Sequence, residues 1–310
     1  MPIADWTHAD FPESTADAEG VRVIEGGPPG GRNVMVHIGV EYAVRDGRPL
    51  HLVVVEPSLD WASGETDDLD QERFPLVVFV QGSGWMEQEL GACLDQLIDF
   101  ARRGYVIAIV EHRPSSVAVF PAQVTDTITA GWWLLRHAED FHIDPGRVAV
   151  WGDSSGGHTA LMVAVNGDDP AWSDEPDAGP LPVACVVDFY GPTALDLMDD
   201  EPTTMAHGSA GSPESLLLGG SPLADVPDLV RRADPRTYVS PGRPVVPVLI
   251  AHGSKDRLVP YAQSVLMYDA LRHAGHPVEM IKVRGAGHGG STLWTPELMD
   301  LVAGFLARHL

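Results

Sequence analysis

RVAVWGDSSGGHTALMVAV, residues 147–165, joins two apolar runs of different character through Gly-Asp-Ser-Ser-Gly-Gly. The first run, short and β-branched, reads as a buried strand. The second, longer and rich in alanine and leucine, reads as a helix. Glycine weakens the interior of either element, so the glycines must serve the junction itself. Gly152-Asp153-Ser154-Ser155-Gly156 is a G-x-S-x-G. Between a strand and a helix, that pattern is a sharp turn that strains the backbone of its central serine and lifts the hydroxyl clear of the sheet. The serine then stands at a helix N-terminus, where free amides and the helix dipole favour developing negative charge. The pentapeptide alone is equally compatible with an inert turn. The strand before it and the helix after it favour a nucleophile.

The rest of the chain repeats the same alternation. Strand patterns lie at 76–81, 105–112, 183–191, 246–253 and 278–285. Helical patterns lie at 91–104, 121–141, 261–275 and 296–310. Nearly continuous Val/Ile/Leu strands separated by helices predict an α/β fold, a mostly parallel sheet covered on both faces. Ahead of it, 34–44 and 49–57 are strand patterns around Asp46-Gly47, a hairpin signal. Residues 1–33 read as an N-terminal arm, and 192–244, rich in Pro, Gly, Ser and Asp, as a cap-like insertion of loops and short helices. A single domain over 1–310 is expected.

Composition narrows the partners. The formal net charge of −24 repels nucleic acid and anionic membrane surfaces. No basic, apolar leader opens the sequence, and no apolar run approaches the ~20 residues of a membrane span, so a cytoplasmic location is expected. Cys93 and Cys185 are too few for a disulfide framework and read as small buried hydrophobes, Cys93 within a helix. Asp67, Asp68, Asp70 and Glu72 form an acidic surface loop without calcium-loop spacing. No H-E-x-x-H or clustered Cys/His set is present, so neither a metal nor a cofactor is expected.

A serine hydroxyl needs a base, and the base needs an orienting carboxylate. When the nucleophile sits on a strand-to-helix turn of this kind, the partners follow in the order Asp/Glu, then His, each in a loop after a strand. Asp256 follows the strand at 246–253, and His288 follows the one at 278–285. His252, at a strand end, reads as packing beside Asp256. His158 lies one turn beyond Ser154, and points away from the hydroxyl or packs under the turn. His207 lies in the insertion, far from any strand end. An oxyanion hole requires the amide after the nucleophile, Ser155, and amides from the loop after an earlier strand, here Gln81-Gly82-Ser83-Gly84-Trp85. Trp85 is a candidate wall of the substrate pocket, with ordinary packing the equal alternative.

These pieces resemble the α/β-hydrolase superfamily over about residues 35–310. More narrowly they resemble the bacterial esterase/lipase group related to hormone-sensitive lipase, with feruloyl-esterase-like and kynurenine-formamidase-like members. The resemblance implies Ser154 as nucleophile, Asp256 as acid, His288 as base, and Ser83, Gly84 and Ser155 as oxyanion donors. Three residues depart from its pattern: in Gln81-Gly82-Ser83-Gly84, which stands for His-Gly-Gly-Gly, Gln81 replaces the histidine and Ser83 a glycine, and His112 stands for a tyrosine. The expected function is a serine carboxylesterase acting on small to medium esters, with a small-molecule ester as partner and a homo-oligomer left open. An amide hydrolase, either an arylformamidase or a small peptidase, would use the same triad. A non-catalytic ligand-binding protein on this fold would typically lack a triad member, and here all three are present.

Overall fold

The computed structural model describes residues 11–25, 32–58, 72–167, 169–174 and 179–310. The acidic positions Asp67, Asp68 and Asp70 lie outside them. Eight strands form one sheet: β1 (Asn33–Arg45), β2 (Arg48–Ser58), β3 (Phe74–Val80), β4 (Val106–Val110), β5 (Ile143–Asp153), β6 (Val183–Phe189), β7 (Val248–Gly253) and β8 (Val278–Val283). Their order is β1-β2-β4-β3-β5-β6-β7-β8. β1 and β2 run antiparallel as a hairpin, β2 pairs antiparallel with β4, and every later pairing is parallel. At the hairpin turn Asp46 and Gly47 both have positive φ, 51° and 79°, as a two-residue turn matched to strand twist requires.

The parallel strands are apolar on both sides because helices cover both faces. Leu76 and Val78 of β3 point into one core and Val77 and Phe79 into the other. The first core takes residues from α2 (Ala122–Arg136), α3 (Ser155–Asn166) and α6 (Tyr261–His273), including Ile128, Leu161 and Met267. The second takes Leu97 and Phe100 of α1 (Leu94–Arg102) and Val302 and Phe305 of α7 (Pro296–His309). Between β6 and β7 the chain makes short helical turns, among them α4 (Pro213–Leu217) and α5 (Pro227–Ala233).

Two helix boundaries differ from the sequence pattern. α2 stops at Arg136, since the His137 amide turns back to the Trp133 and Leu134 carbonyls and the chain enters β5 at Ile143. α1 begins at Leu94, because Cys93 is left-handed, φ 61°, and so stands outside the helix expected to contain it.

The sheet and α3 meet at the turn after β5. A Cβ on Gly156 would collide with the Val80 carbonyl at the end of β3, and a Cβ on Gly152 with the Gly156 carbonyl. Backbone cannot yield as a flexible side chain can. Gly156→Ala is therefore expected to cost about 3 kcal/mol or more, by overpacking against main chain. A thermal-unfolding scan reads this as a large fall in Tm or loss of folded protein. An unchanged Tm would show that the two backbones are not in contact.

Candidate active site

Ser154 occupies the turn between β5 and α3 with φ 54° and ψ −126°, a strained conformation for a residue with a side chain. The Phe189 carbonyl at the end of β6 pins its amide at 2.8 Å. The strain aims Oγ at the loop after β8. There His288 Nε2 lies 2.8 Å from Ser154 Oγ, placed to accept the hydroxyl proton. Its other nitrogen, Nδ1, donates to Asp256 Oδ2 at 2.7 Å. Residues 134 and 32 positions apart are thus brought into one hydrogen-bonded line.

Asp256 is held as an anion. Its side chain has no exposed surface. Burial works against its charge, but hydrogen bonds from His252 and His288 outweigh burial and keep the carboxyl well below the usual range. Oδ1 accepts the Leu258 and Val259 amides at 2.9 and 3.0 Å. His252 Nε2 faces two acceptors, Asp256 Oδ2 at 3.1 Å and the Val259 carbonyl at 3.0 Å, so it carries a proton. Ser264 donates to His252 Nδ1 at 2.7 Å and completes the brace.

The loop after β3 faces the serine. Gly82 donates to Asp153 Oδ1 at 2.8 Å, and Ser83 donates to Ser155 Oγ at 2.9 Å. Of the three amides expected to serve an oxyanion, the one on Ser83 is therefore already engaged. Those of Gly84 and Ser155 have no acceptor among the described residues. Gln81, where the resemblance expects histidine, binds the Gly82 carbonyl and accepts the Glu89 amide at 3.1 Å, so it ties the loop on both sides. Trp85 is buried with φ 56° and stands edge-on to His158 at 5.2 Å. His158 itself donates to the Ala233 carbonyl at 2.7 Å beneath the turn, and burial lowers its pKa to about 4.

A cleft of about 460 Å³ opens above Ser154 and His288, with Trp85 in its wall. Three of its lining residues differ from expectation. Cys93, half-buried against the second core, also lines the cleft, with burial pushing its thiol up to about 12. His207 and Glu214 also line it. The insertion that carries them folds back over the strand ends, so distance along the chain from a strand end says nothing about distance in space. No sequence signal marks Glu214. Tyr190, the residue after β6, donates to Asp153 Oδ2 at 3.1 Å and stacks edge-on to His288 at 4.7 Å.

The sheet, the turn and the Ser–His–Asp line at its strand ends define an α/β-hydrolase. The chain belongs to the BD-FAE family, whose model matches residues 66–271. It is similar to Esterase LipQ and Esterase LipC of Mycobacterium tuberculosis, each 27% identical over 66% and 72% of this chain. The match spans about half of those relatives, 47% and 54% of their lengths. A solved structure described as a truncated carbohydrate esterase from gut microbiota superposes with a TM-score of 0.76, covering 90% of this chain and 96% of that one at 22% identity. Among the described residues no helix is long and apolar enough to cross a membrane.

One buried acid beneath the site has a consequence for stability. Asp188, at the end of β6, accepts the Gly191 amide through Oδ1, while Oδ2 has no partner. Burial raises its pKa to about 7. A carboxyl raised on folding binds more protons folded than unfolded, so it lowers stability as pH rises from about 4 to about 7. Asp188→Asn is expected to raise Tm relative to the parent at pH 8 more than at pH 5. A pH-independent difference in Tm between the two proteins would show that Asp188 does not titrate in that window.

Proposed function

We infer that this protein is a serine carboxylesterase that hydrolyses small to medium esters through an acyl-enzyme on Ser154. The observation that carries the reading is the unbroken line Ser154 Oγ–His288–Asp256, with the serine held in a strained turn facing an open cleft. His288 takes the hydroxyl proton as Ser154 attacks the carbonyl carbon. The imidazolium then protonates the departing alcohol. Water, deprotonated by the same nitrogen, releases the acid. The buried Asp256 carboxylate stabilises the imidazolium and fixes the tautomer that leaves Nε2 free to accept. The amides of Ser155 and Gly84 are the two placed to receive the tetrahedral oxyanion. The Ser83 amide can join them only by releasing Ser155 Oγ. Segment 192–244 acts as a cap, since Met205, His207, Pro213 and Glu214 close one side of the cleft. A cleft of about 460 Å³ suits a short acyl chain rather than a long lipid.

The test is hydrolysis of p-nitrophenyl acetate, butyrate and octanoate, beside methyl ferulate and N-formylkynurenine. Ser154→Ala is expected to lower kcat by about 10⁴-fold or more on every ester turned over. Equal activity in the variant would sink the assignment of the nucleophile, and preference for the formamide would make the enzyme an amide hydrolase. Asp256→Asn is expected to lower kcat by about 10⁴-fold on the same esters, because the amide can hold His288 in the wrong tautomer. The circular-dichroism spectrum should stay that of the parent. Retention of most of the activity would remove Asp256 from the mechanism.

A further inference from the structure

A second groove, of about 380 Å³, adjoins the cleft that holds Ser154, and nothing in the chemistry above uses it. Leu258 and His288 line both, so the two meet at the base. Lys255 and Arg257 line the groove beside them. Asp256 turns inward to His288 with no exposed side-chain surface, while its neighbours on either side, Lys255 and Arg257, are exposed. Elsewhere arginines find carboxylates: Arg113 pairs with Asp126, Arg236 with Asp234 and Arg308 with Glu279. Among the described residues neither Lys255 nor Arg257 has an ion-pair partner. Lys255 is one of two lysines in the chain, and the other, Lys282, lies over the Tyr261 ring at 4.2 Å.

The backbone that carries the two cations is fixed on both sides. The Lys255 amide donates to the Ala286 carbonyl at 2.8 Å, and Ser254 Oγ accepts the Gly285 amide at 2.8 Å, so this loop is tied to the one that carries His288. The Arg257 carbonyl accepts the Thr204 amide at 2.9 Å and its hydroxyl at 3.0 Å, which ties the same loop to the insertion. Charge along this surface is one-sided. The acids that line the cleft, Asp153 and Glu214, are buried. The exposed formal charges lining the cleft and the groove are those of Lys255 and Arg257, in a chain whose formal net charge is −24.

We propose that Lys255 and Arg257 form a subsite for an anionic group on the alcohol portion of the ester. This rests on the esterase reading above. The position of the groove selects the alcohol portion. His288 Nε2 gives its proton to the departing oxygen, so the alcohol lies against His288, where the groove begins. The two cations select the anion. A carboxylate there accepts charge-assisted hydrogen bonds from a guanidinium fork and an ammonium, whereas a cationic group would meet two like charges. The field of the whole chain acts the other way and repels anions. At about 0.15 M salt that field is screened beyond about 8 Å, so a preference for an anion must come from contacts near the bond that breaks.

The test has two arms, each a pair of esters of equal size that differ in charge. The alcohol arm compares the butyrate ester of γ-hydroxybutyric acid with that of γ-hydroxybutyramide. The acyl arm compares the mono-p-nitrophenyl ester of adipic acid with the same ester carrying a terminal amide. In the parent enzyme kcat/KM is expected to favour the anion by about fivefold or more in the alcohol arm, the effect of ion pairs that stay partly solvated, and to show no such preference in the acyl arm. In a variant that combines Lys255→Glu with Arg257→Glu, the alcohol-arm ratio should fall to about unity or below, since the groove then repels the carboxylate. The readout is a ratio within one protein, so a general loss of activity through the neighbouring Asp256 cancels. Should the double reversal fail to fold, Lys255→Ala with Arg257→Ala is read the same way, with a ratio near unity expected. No preference for the anion in the parent's alcohol arm, an equal preference in the acyl arm, or a ratio unmoved by loss of both cations would overturn the inference. Failure of the esterase reading is distinct: the parent would then turn over none of the four esters.

Discussion

The close crossing of two backbones at Gly152 and Gly156 sets the position of everything that follows. The turn after β5 packs directly on the end of β3, with the Val80 carbonyl occupying the space of the missing Gly156 side chain. That approach does two things at once. It forces Ser154 into a positive φ, and it brings the amides after β3 within reach of whatever Ser154 attacks. A side chain at Gly156 would push the turn that carries Ser154 away from the end of β3, and one at Gly152 would collide with the turn's own backbone. Ser154 and the loop after β3 are therefore one mechanical unit, held by Asp153 through the Gly82 amide and the Tyr190 hydroxyl.

His288 and Asp256 are held by different means. Asp256 and His288 sit on loops after β7 and β8, and each is fixed by hydrogen bonds rather than by helix geometry. Asp256 receives two backbone amides and two imidazole N–H groups, so its charge is matched by four donors where its side chain has no exposed surface. A carboxylate with four donors has little reason to take the proton from His288. This keeps the imidazole available to accept from Ser154. His252 contributes here without touching the serine: its proton helps to hold the carboxylate in place.

The cleft is polar in an uneven way. Trp85 lines it, and so do His207 and Glu214 from the insertion. Ser154, Asp256 and His288 follow strands of the sheet, whose ends are fixed by ladders of hydrogen bonds. His207 and Glu214 come from a segment of short helices between β6 and β7. Such a division allows the insertion to change without disturbing the Ser154–His288–Asp256 line beneath it.

Sequence alone determined the alternation of strands and helices, the Asp46-Gly47 hairpin, and the three residues of the Ser154–His288–Asp256 line. These follow from local pattern and chain order, because a parallel sheet puts every post-strand loop on one edge. Helix ends were less legible, since α1 and α2 are cut short by single residues whose backbone turns away. The engagement of the Ser83 amide by Ser155, the support of Asp256 by His252, and the entry of Cys93, His207 and Glu214 into the cleft were decided only in three dimensions. Each depends on how far a loop folds back over the sheet. That distance is set by packing against neighbours remote in sequence, such as Pro213 on Gly84, and no local periodicity encodes it.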